Sequence, residues 1–228
     1  MFGADSPKLA AAGLSEFNKY KLQKRVSQNP SQNAMVGRIA SRLTQVIELP
    51  GARWEFIIFE DGTPNAFALP GGKVGIHTGL FKIAQNEAQL AAVVGHEIGH
   101  VVAGHAGERM STKTLVTLGG AVLGAATQSS GNASAIGRAY GMGAQYGAIL
   151  PFSRTHELEA DKMGALYMAR AGYDPRESIS LWQNMASYKE RTGGGGSPEF
   201  MSTHPVNERR IQELKEFMPR AMGEWRSM

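Results

Sequence analysis

The stretch that most constrains this chain is AAVVGHEIGH, residues 91–100. His96 and His100 are four residues apart, so on an α-helix their imidazoles project from one face about one turn apart. This spacing suits two ligands of a tetrahedral zinc ion, and Glu97 can reach a water bound to that metal. We therefore predict a metal-binding helix with His96 and His100 as zinc ligands and with Glu97 as the base that accepts a proton from the water.

The residues around this motif support a buried helix. Asn86, followed by Gln89 three positions later, has the pattern of a helix N-cap with its capping-box partner. The apolar run that follows, with Val101 and Val102 after the motif, supplies an apolar stripe. A core helix that merely carries two hydrogen-bonded histidines is the alternative interpretation. The combination of cap, stripe and motif favours the metal site.

Composition sets limits on the kind of protein. The chain has 228 residues, 42% of them hydrophobic, which is enough for a sizeable core. It has no cysteine, which excludes Cys-ligated zinc and disulfides. A net charge of +4 is too small for a typical nucleic-acid binder, so no nucleic-acid partner is expected. Four basic residues near the start have two interpretations, a solvated helix face or peripheral contact with an anionic membrane: Lys19, Lys21, Lys24 and Arg25.

Hydrophobic periodicity predicts a small sheet among helices. The predicted strands are residues 54–60, 65–69 and 74–77, and His77 fits the strand alternation as an ordinary strand residue. The predicted helices are residues 14–26, 34–47, 153–171, a helix opened by Asp174 and Pro175, and 206–218. The order of these elements indicates an α+β fold in which a small mixed sheet packs on the metal helix and further helices surround it.

Two Gly-rich stretches and the start of the chain allow weaker predictions. Residues 119–149 are rich in Gly, Ala and Ser and form a candidate gate segment, and residues 193–196 are four consecutive glycines. The apolar run at 115–126 is too short to cross a bilayer, which takes about 20 residues. No secretory signal follows Met1, so we expect either a cytosolic protein or one whose signal or anchor is absent from this sequence.

A catalytic zinc needs a third protein ligand, and two residues compete for that position. His105 follows the motif, but it lies one position away from the third histidine of the long HExxHxxGxxH motif, and a continuing helix would point it away from His100. Glu157 lies at the start of a later helix with Asp161 four residues on, on the same face. Glu157 could then bind zinc while Asp161 accepts the second ring N–H of a liganding histidine. A solvent-facing row of carboxylates that includes Glu159 is the alternative for this pair.

Taken together, HEIGH, SRTHELEADKMG, GYDP and STHP followed by Arg210 and Ile211 resemble the HtpX and CAAX prenyl-protease family of gluzincin metallopeptidases. The likeness is greatest to its soluble or peripheral bacterial envelope members and to its mitochondrial inner-membrane quality-control member. The resemblance covers about residues 34–211. It implies one zinc ion held by His96, His100 and Glu157, Glu97 as the catalytic base, and Asp161 in contact with a ligand. It also implies an edge strand that binds an extended substrate, and a histidine near the zinc. The residues implied for the substrate-binding strand are Asn65, Ala66, Phe67 and Ala68, and the histidine implied near the zinc is His204.

These observations predict a zincin-like α+β fold, with an N-terminal helical extension at residues 1–33 and a zinc metallopeptidase domain at residues 34–228. The expected function is endopeptidase cleavage of unfolded or damaged proteins in the bacterial periplasm or cell envelope. A weakly active or gated zinc-binding assembly factor is the alternative. His204, expected on an extended turn before Pro205, could donate a hydrogen bond to the oxyanion or serve as a fourth ligand in a resting state. The sequence favours the donor role, because a catalytic zinc normally keeps its fourth position open.

Overall fold

The structure, a computed structural model, describes residues 6–105, 107, 153–192 and 199–225. The candidate gate segment 119–149 and the four glycines at 193–196 lie outside these residues. Within them the chain forms a three-stranded sheet and seven α-helices, which confirms the α+β prediction. The strands are β1 Glu55–Phe59, β2 Ala66–Leu69 and β3 Lys73–His77, and a 3-10 helix at Thr78–Lys82 follows them. The helices are α1 Pro7–Gln23, α2 Pro30–Thr44, α3 Glu87–Val102, α4 Arg154–Arg170, α5 Glu177–Arg191, α6 Glu199–Thr203 and α7 Glu208–Glu224.

The sheet is mixed, and one of its edges is unpaired within the described residues. Its order is β1-β3-β2, with β1 parallel and β2 antiparallel to β3. The segment before α2 covers the outer edge of β1, because the amide of Ser27 donates to the carbonyl of Ile58 at 2.8 Å and Val26 forms a bridge with Phe59. No described backbone pairs with the outer side of β2. The structure thus leaves β2 as the strand that an extended chain can join.

The first two helices start earlier than their periodicity predicted. Asn29 and Pro30 precede the predicted start of the second helix at residue 34, and they open α2. Asn29 Oδ1 accepts hydrogen bonds from the amides of Ser31 and Gln32, and Pro30 occupies the first turn. The predicted division at residue 33 therefore falls inside α2, and the separation into two units stays a prediction. Among the described helices, none combines the length and apolar character needed to cross a bilayer.

Ion pairs fasten α1 to the sheet. Lys21 Nζ lies 2.9 Å from Glu55 Oε1, and Lys24 Nζ lies 2.6 Å from Asp61 Oδ2. Below these pairs, Phe17 is fully buried against the rings of Phe59 and Phe67. Arg25 also lies 3.4 Å from Glu60, so three of the four basic side chains lie against carboxylates of β1 and the turn that follows it. Membrane contact by this face stays a prediction.

Helix α3 forms the centre of the core, with every residue from Gln89 to Val101 buried. Asn86 caps it as predicted, since Asn86 Oδ1 accepts from the amide of Gln89 at 2.8 Å. The side chain of Gln89 does not complete the capping box, because its Oε1 accepts from the amide of Gln85 and its Nε2 donates to Glu177. The carboxylate of Glu177, in the first turn of α5, accepts hydrogen bonds from Asn86 and Gln89 and so joins α5 to the start of α3.

The crossing of α3 and α4 is unusually close because glycines form it. A Cβ placed on Gly164 would lie 2.9 Å from the backbone nitrogen of His96, and one placed on Gly95 would lie 3.3 Å from Cα of Gly164. Because these residues lack side chains, the backbones of α3 and α4 can come into van der Waals contact. The histidines of α3 and the carboxylates at the start of α4 are thereby brought within a few ångströms of each other.

We expect Gly164→Ala to destabilise the protein by about 1–3 kcal/mol, because the added methyl group forces the two backbones apart. Gly37→Ala is the matched control, since Gly37 is an exposed helical position where an added Cβ would have no neighbour within 4 Å, and its replacement should gain up to about 1 kcal/mol. Denaturant unfolding in the presence of a chelator measures both free energies without a contribution from metal. Equal stability of the two variants would contradict the role assigned to this crossing.

Candidate metal centre

Four buried side chains, three from two helices and one from the residue that follows another helix, converge at one point. His96 and His100 come from α3, Glu157 from the first turn of α4, and His204 from the residue after α6. Each offers one ligand atom, and these four atoms lie within 4.8 Å of one another. We call these four residues the donor cluster. It unites the three ligands expected from the sequence with the histidine expected near them.

The distances within the donor cluster fit a tetrahedral metal ion. Two atoms that each lie about 2.0–2.1 Å from a tetrahedral zinc are about 3.3–3.4 Å apart. Nε2 of His96 and Nε2 of His100 are 3.1 Å apart, and the Glu157 carboxylate oxygens lie 3.5 Å and 3.3 Å from them. Two imidazoles and one carboxylate are also the ligands that zinc prefers. The residues present therefore fit a zinc ion.

Local sequence explains why Glu157 reaches this point. Ser153 caps α4, its hydroxyl accepting from the amide of His156 at 3.2 Å, so Glu157 falls in the first helical turn. Asp161, one turn further along the same face, lies with its Oδ1 2.9 Å from Nδ1 of His96. Both carboxylates are buried, while Glu159 is half exposed, so α4 does not present a solvent-facing row of carboxylates.

Arg210 of α7 neutralises these buried carboxylates. Its guanidinium donates two hydrogen bonds of 2.8 Å to Asp161 and lies 2.7 Å from Oε2 of Glu157. The guanidinium also stacks over the indole of Trp182 at 4.6 Å. In the sequence, Arg210 entered only as part of a motif; a basic residue on the apolar face of an amphipathic helix is the signal that could have identified it as buried.

The protonation states of His100 and Glu157 suit the binding of a metal, whereas His96 must first lose a proton. Burial lowers the pKa of His100 to about 2, so this imidazole is neutral. Burial would raise the pKa of Glu157, but hydrogen bonds with three imidazoles outweigh it and hold this pKa well below its usual range. For His96, hydrogen bonds to Asp161 and Glu157 outweigh burial and raise the pKa to about 9. A metal binding here would displace a proton from His96.

Glu97 lies beside the donor cluster and under the open strand. Burial raises its pKa, and the neighbouring imidazoles and a backbone hydrogen bond from Ala68 of β2 act in the opposite direction. Its Oε1 is 3.4 Å from Nε2 of His204 and has no hydrogen-bond partner within the described residues. A buried carboxylate oxygen of this kind can accept a proton from a water between Glu97 and the donor cluster.

His204 differs from its sequence expectation in backbone conformation. It follows directly on the short helix α6, and its amide donates to the carbonyl of Phe200 at 2.8 Å, so the last helical turn, not an extended turn, presents the imidazole. The imidazole also stacks on the ring of Phe200 at 4.7 Å. The helix ends here because Pro205 follows and disfavours helical backbone in the residue before it.

The remaining histidines lie outside the donor cluster. His105 Nδ1 contacts Nδ1 of His100 at 2.9 Å, on the far side of that ring from the cluster. His77, at the end of β3, is buried with its Nδ1 3.1 Å from the carbonyl of Thr63 and its Nε2 hydrogen-bonded to Tyr20. Three of the four expected substrate residues, Ala66, Phe67 and Ala68, lie in β2. The fourth, Asn65, precedes the strand, and its carbonyl accepts a hydrogen bond from the amide of His77.

Three known proteins to which the chain is similar are named as metalloendopeptidases or proteases. The chain is 35% identical over 186 residues to the mitochondrial metalloendopeptidase OMA1 of Schizosaccharomyces pombe, covering 82% of this chain and 53% of that protein. It is 38% identical over 177 residues to the Saccharomyces cerevisiae protein of the same name, covering 76% and 49%. It is 30% identical over 194 residues to the β-barrel assembly-enhancing protease of Yersinia pestis, covering 82% and 39%. The chain thus spans about half the length of the first two relatives.

The family comparison covers nearly all of the region that builds the site. Residues 30–218 match peptidase family M48, and this range contains α2, the sheet and the whole donor cluster. The narrower likeness to HtpX and CAAX prenyl proteases stays a prediction. The extent of the match shows that the chain belongs to peptidase family M48.

Proposed function

We propose that this chain is a zinc-dependent endopeptidase that cleaves unfolded or damaged proteins. The observation that carries this proposal is the position of Glu97 beside a buried set of two imidazoles and one carboxylate. Glu97 is itself buried, and one of its oxygens accepts no hydrogen bond from the described residues. The family and the metalloendopeptidase names of the relatives support the same reaction. Degradation of casein with and without a chelator tests it directly.

In this proposal His96, His100 and Glu157 hold one zinc ion, and Asp161 orients His96. A zinc ion bound there would supply a water of lowered pKa and would polarise the scissile carbonyl. Glu97 would accept a proton from the attacking water and would pass it to the leaving amine. Because burial raises the pKa of Glu97, its carboxylate can both accept and release this proton.

The open edge of the sheet is the proposed binding site for the substrate backbone. An extended peptide can pair with β2 as a further strand, so its affinity would come mainly from main-chain hydrogen bonds and its side chains would matter less. Residues 65–68 would make these contacts, and Ala68 lies next to Glu97, so a paired peptide would pass close to the donor cluster. Unfolded proteins offer such extended segments, whereas folded proteins rarely do.

The proposed location is the bacterial periplasm or cell envelope. Relatives from the bacteria Vibrio cholerae and Yersinia pestis are named for enhancing β-barrel assembly, and the bacterial outer membrane is rich in such barrels. Other relatives are named as mitochondrial enzymes. Fractionation of the native host into cytosolic, periplasmic and membrane fractions decides between these locations.

A gated activity is the second candidate, and the position of His204 favours it. Nδ1 of His204 lies 3.3 Å from Nε2 of His96 and 2.9 Å from the Glu157 carboxylate, close to the separations between the other ligand atoms. An oxyanion donor would lie further out, because it contacts the oxygen and not the metal. We infer that in this arrangement His204 occupies the fourth ligand position. A weakly active assembly factor would then be the resting form of the same protein.

We expect Glu97→Gln to retain about one zinc per chain but to lose peptidase activity by about 10²- to 10⁴-fold, because the amide cannot accept the proton. Metal analysis of the dialysed variant and a casein assay measure the two effects separately. Cleavage at a rate near that of the wild type would show that another group is the base.

We expect Glu157→Ala to lose zinc during dialysis against a mild chelator, because the variant loses the only carboxylate of the donor cluster and keeps imidazoles alone beside the Arg210 cation. The control is Glu16→Ala, which removes an exposed carboxylate of α1 that pairs only with Lys19 in the described structure. Metal content measured by atomic emission should fall in the first variant alone. Full zinc retention by Glu157→Ala would exclude Glu157 as a ligand.

We expect His204→Ala to raise kcat on casein and to loosen zinc slightly, because removal of the imidazole opens the fourth ligand position to water. If His204 were an oxyanion donor, the same change would lower kcat by about 10²-fold and leave zinc in place. The two roles therefore differ in the sign of the change in kcat. Unchanged kcat and unchanged zinc affinity would exclude both.

A further inference from the structure

His105, a buried histidine outside the donor cluster, contacts the zinc-ligand candidate His100 through the ring nitrogen that faces away from the cluster. His105 is 1% exposed, and its Nδ1 lies 2.9 Å from Nδ1 of His100. The contact exists because α3 ends at Val102 and the chain turns at Gly104, which has a φ of 75°. A left-handed residue at this point reverses the chain and returns the ring of His105 to the last turn of the helix. A continuing helix would have pointed it elsewhere.

The short contact requires one donor and one acceptor. If His100 binds zinc through Nε2, its Nδ1 carries the proton and donates it, so Nδ1 of His105 must be the acceptor. Neutral His105 then carries its own proton on Nε2. That nitrogen lies 3.2 Å from Oε2 of Glu159 and donates a hydrogen bond to it. The hydrogen bonds therefore run in one direction, from His100 through His105 to Glu159.

The two zinc-binding histidines are thus held by different groups. A carboxylate, Asp161, faces Nδ1 of His96, whereas an imidazole faces Nδ1 of His100. An outer hydrogen bond fixes the tautomer and the ring orientation of a liganding histidine and typically changes metal affinity by about 10- to 100-fold. Asp161 and Glu159 both belong to α4, so this helix holds both rings of α3.

We propose that His105 is a positioning residue for the metal centre, which holds His100 in the tautomer that binds zinc, and that Glu159 fixes the tautomer of His105. The proposal rests on the zinc site of the proposed function. It assigns His105 no contact with the metal, because its Nδ1 lies on the opposite side of the His100 ring from the donor cluster. His156 stacks on the ring of His105 at 4.1 Å and covers one of its faces.

Two substitutions separate positioning from simple space filling. His105→Phe keeps an aromatic ring of similar shape but has no acceptor, and we expect the dissociation constant for zinc to rise by about 10- to 100-fold. His105→Asn keeps an acceptor oxygen near the position of Nδ1, and we expect zinc affinity within about three-fold of the wild type. Glu159→Ala should weaken zinc by less than the phenylalanine variant, because water can replace a carboxylate that is 53% exposed.

Zinc affinity is measured on the full chain by competition with a chromophoric chelator, without substrate, and the unfolding midpoint of each metal-free variant checks its fold. Unchanged affinity in His105→Phe, or equal losses in the phenylalanine and asparagine variants, would overturn the positioning role. Unchanged affinity in Glu159→Ala would overturn the part assigned to Glu159, and this surface change tests the chain of hydrogen bonds even if a core variant fails to fold. A wild-type protein that binds no zinc would instead overturn the proposed function.

Discussion

The metal centre depends on the close approach of α3 and α4. Gly164 fits against the backbone of His96, and no other residue fits there without a shift of one helix. The ligand atoms of Glu157 and the two α3 histidines lie within 3.5 Å of their neighbours, so a displacement of even one ångström would remove the geometry that a tetrahedral ion needs. The contact between Gly95 and Gly164 therefore determines whether the candidate ligands lie close enough to bind one metal ion.

This approach buries two carboxylates, and their charge must be balanced. Desolvation of a carboxylate costs several kcal/mol unless a cation or hydrogen-bond donors compensate it. Arg210 binds Asp161 through two hydrogen bonds and reaches Glu157 as well, and the stacked indole of Trp182 shields it from water. One guanidinium balances only one of two negative charges. The raised pKa of His96 allows a proton on its imidazole to balance the second charge, and a metal cation that displaced this proton would balance it instead.

The parts of the site that the sequence predicted are those set by local periodicity. The four-residue spacings of His96 with His100 and of Glu157 with Asp161 determine which side chains share a helix face, and the cap at Asn86 marks where α3 begins. Contacts that depend on tertiary structure were not accessible in this way. Arg210 meets Asp161 across 49 residues. His105 appeared to point away because the helix was extended past Gly104, although a glycine at that position is itself a signal for a helix end.

The open edge of the sheet and the metal centre are linked by the same helix. The backbone before α2 covers the outer edge of β1, so a peptide can pair only with β2 among the described strands. β2 packs on α3, and its Ala68 hydrogen-bonds to Glu97, the residue between the two histidines of the motif. In the proposed function, a peptide that paired with β2 would lie alongside this strand, close to Glu97 on α3. The position of the scissile bond would then follow from strand pairing, with little need for recognition of individual side chains.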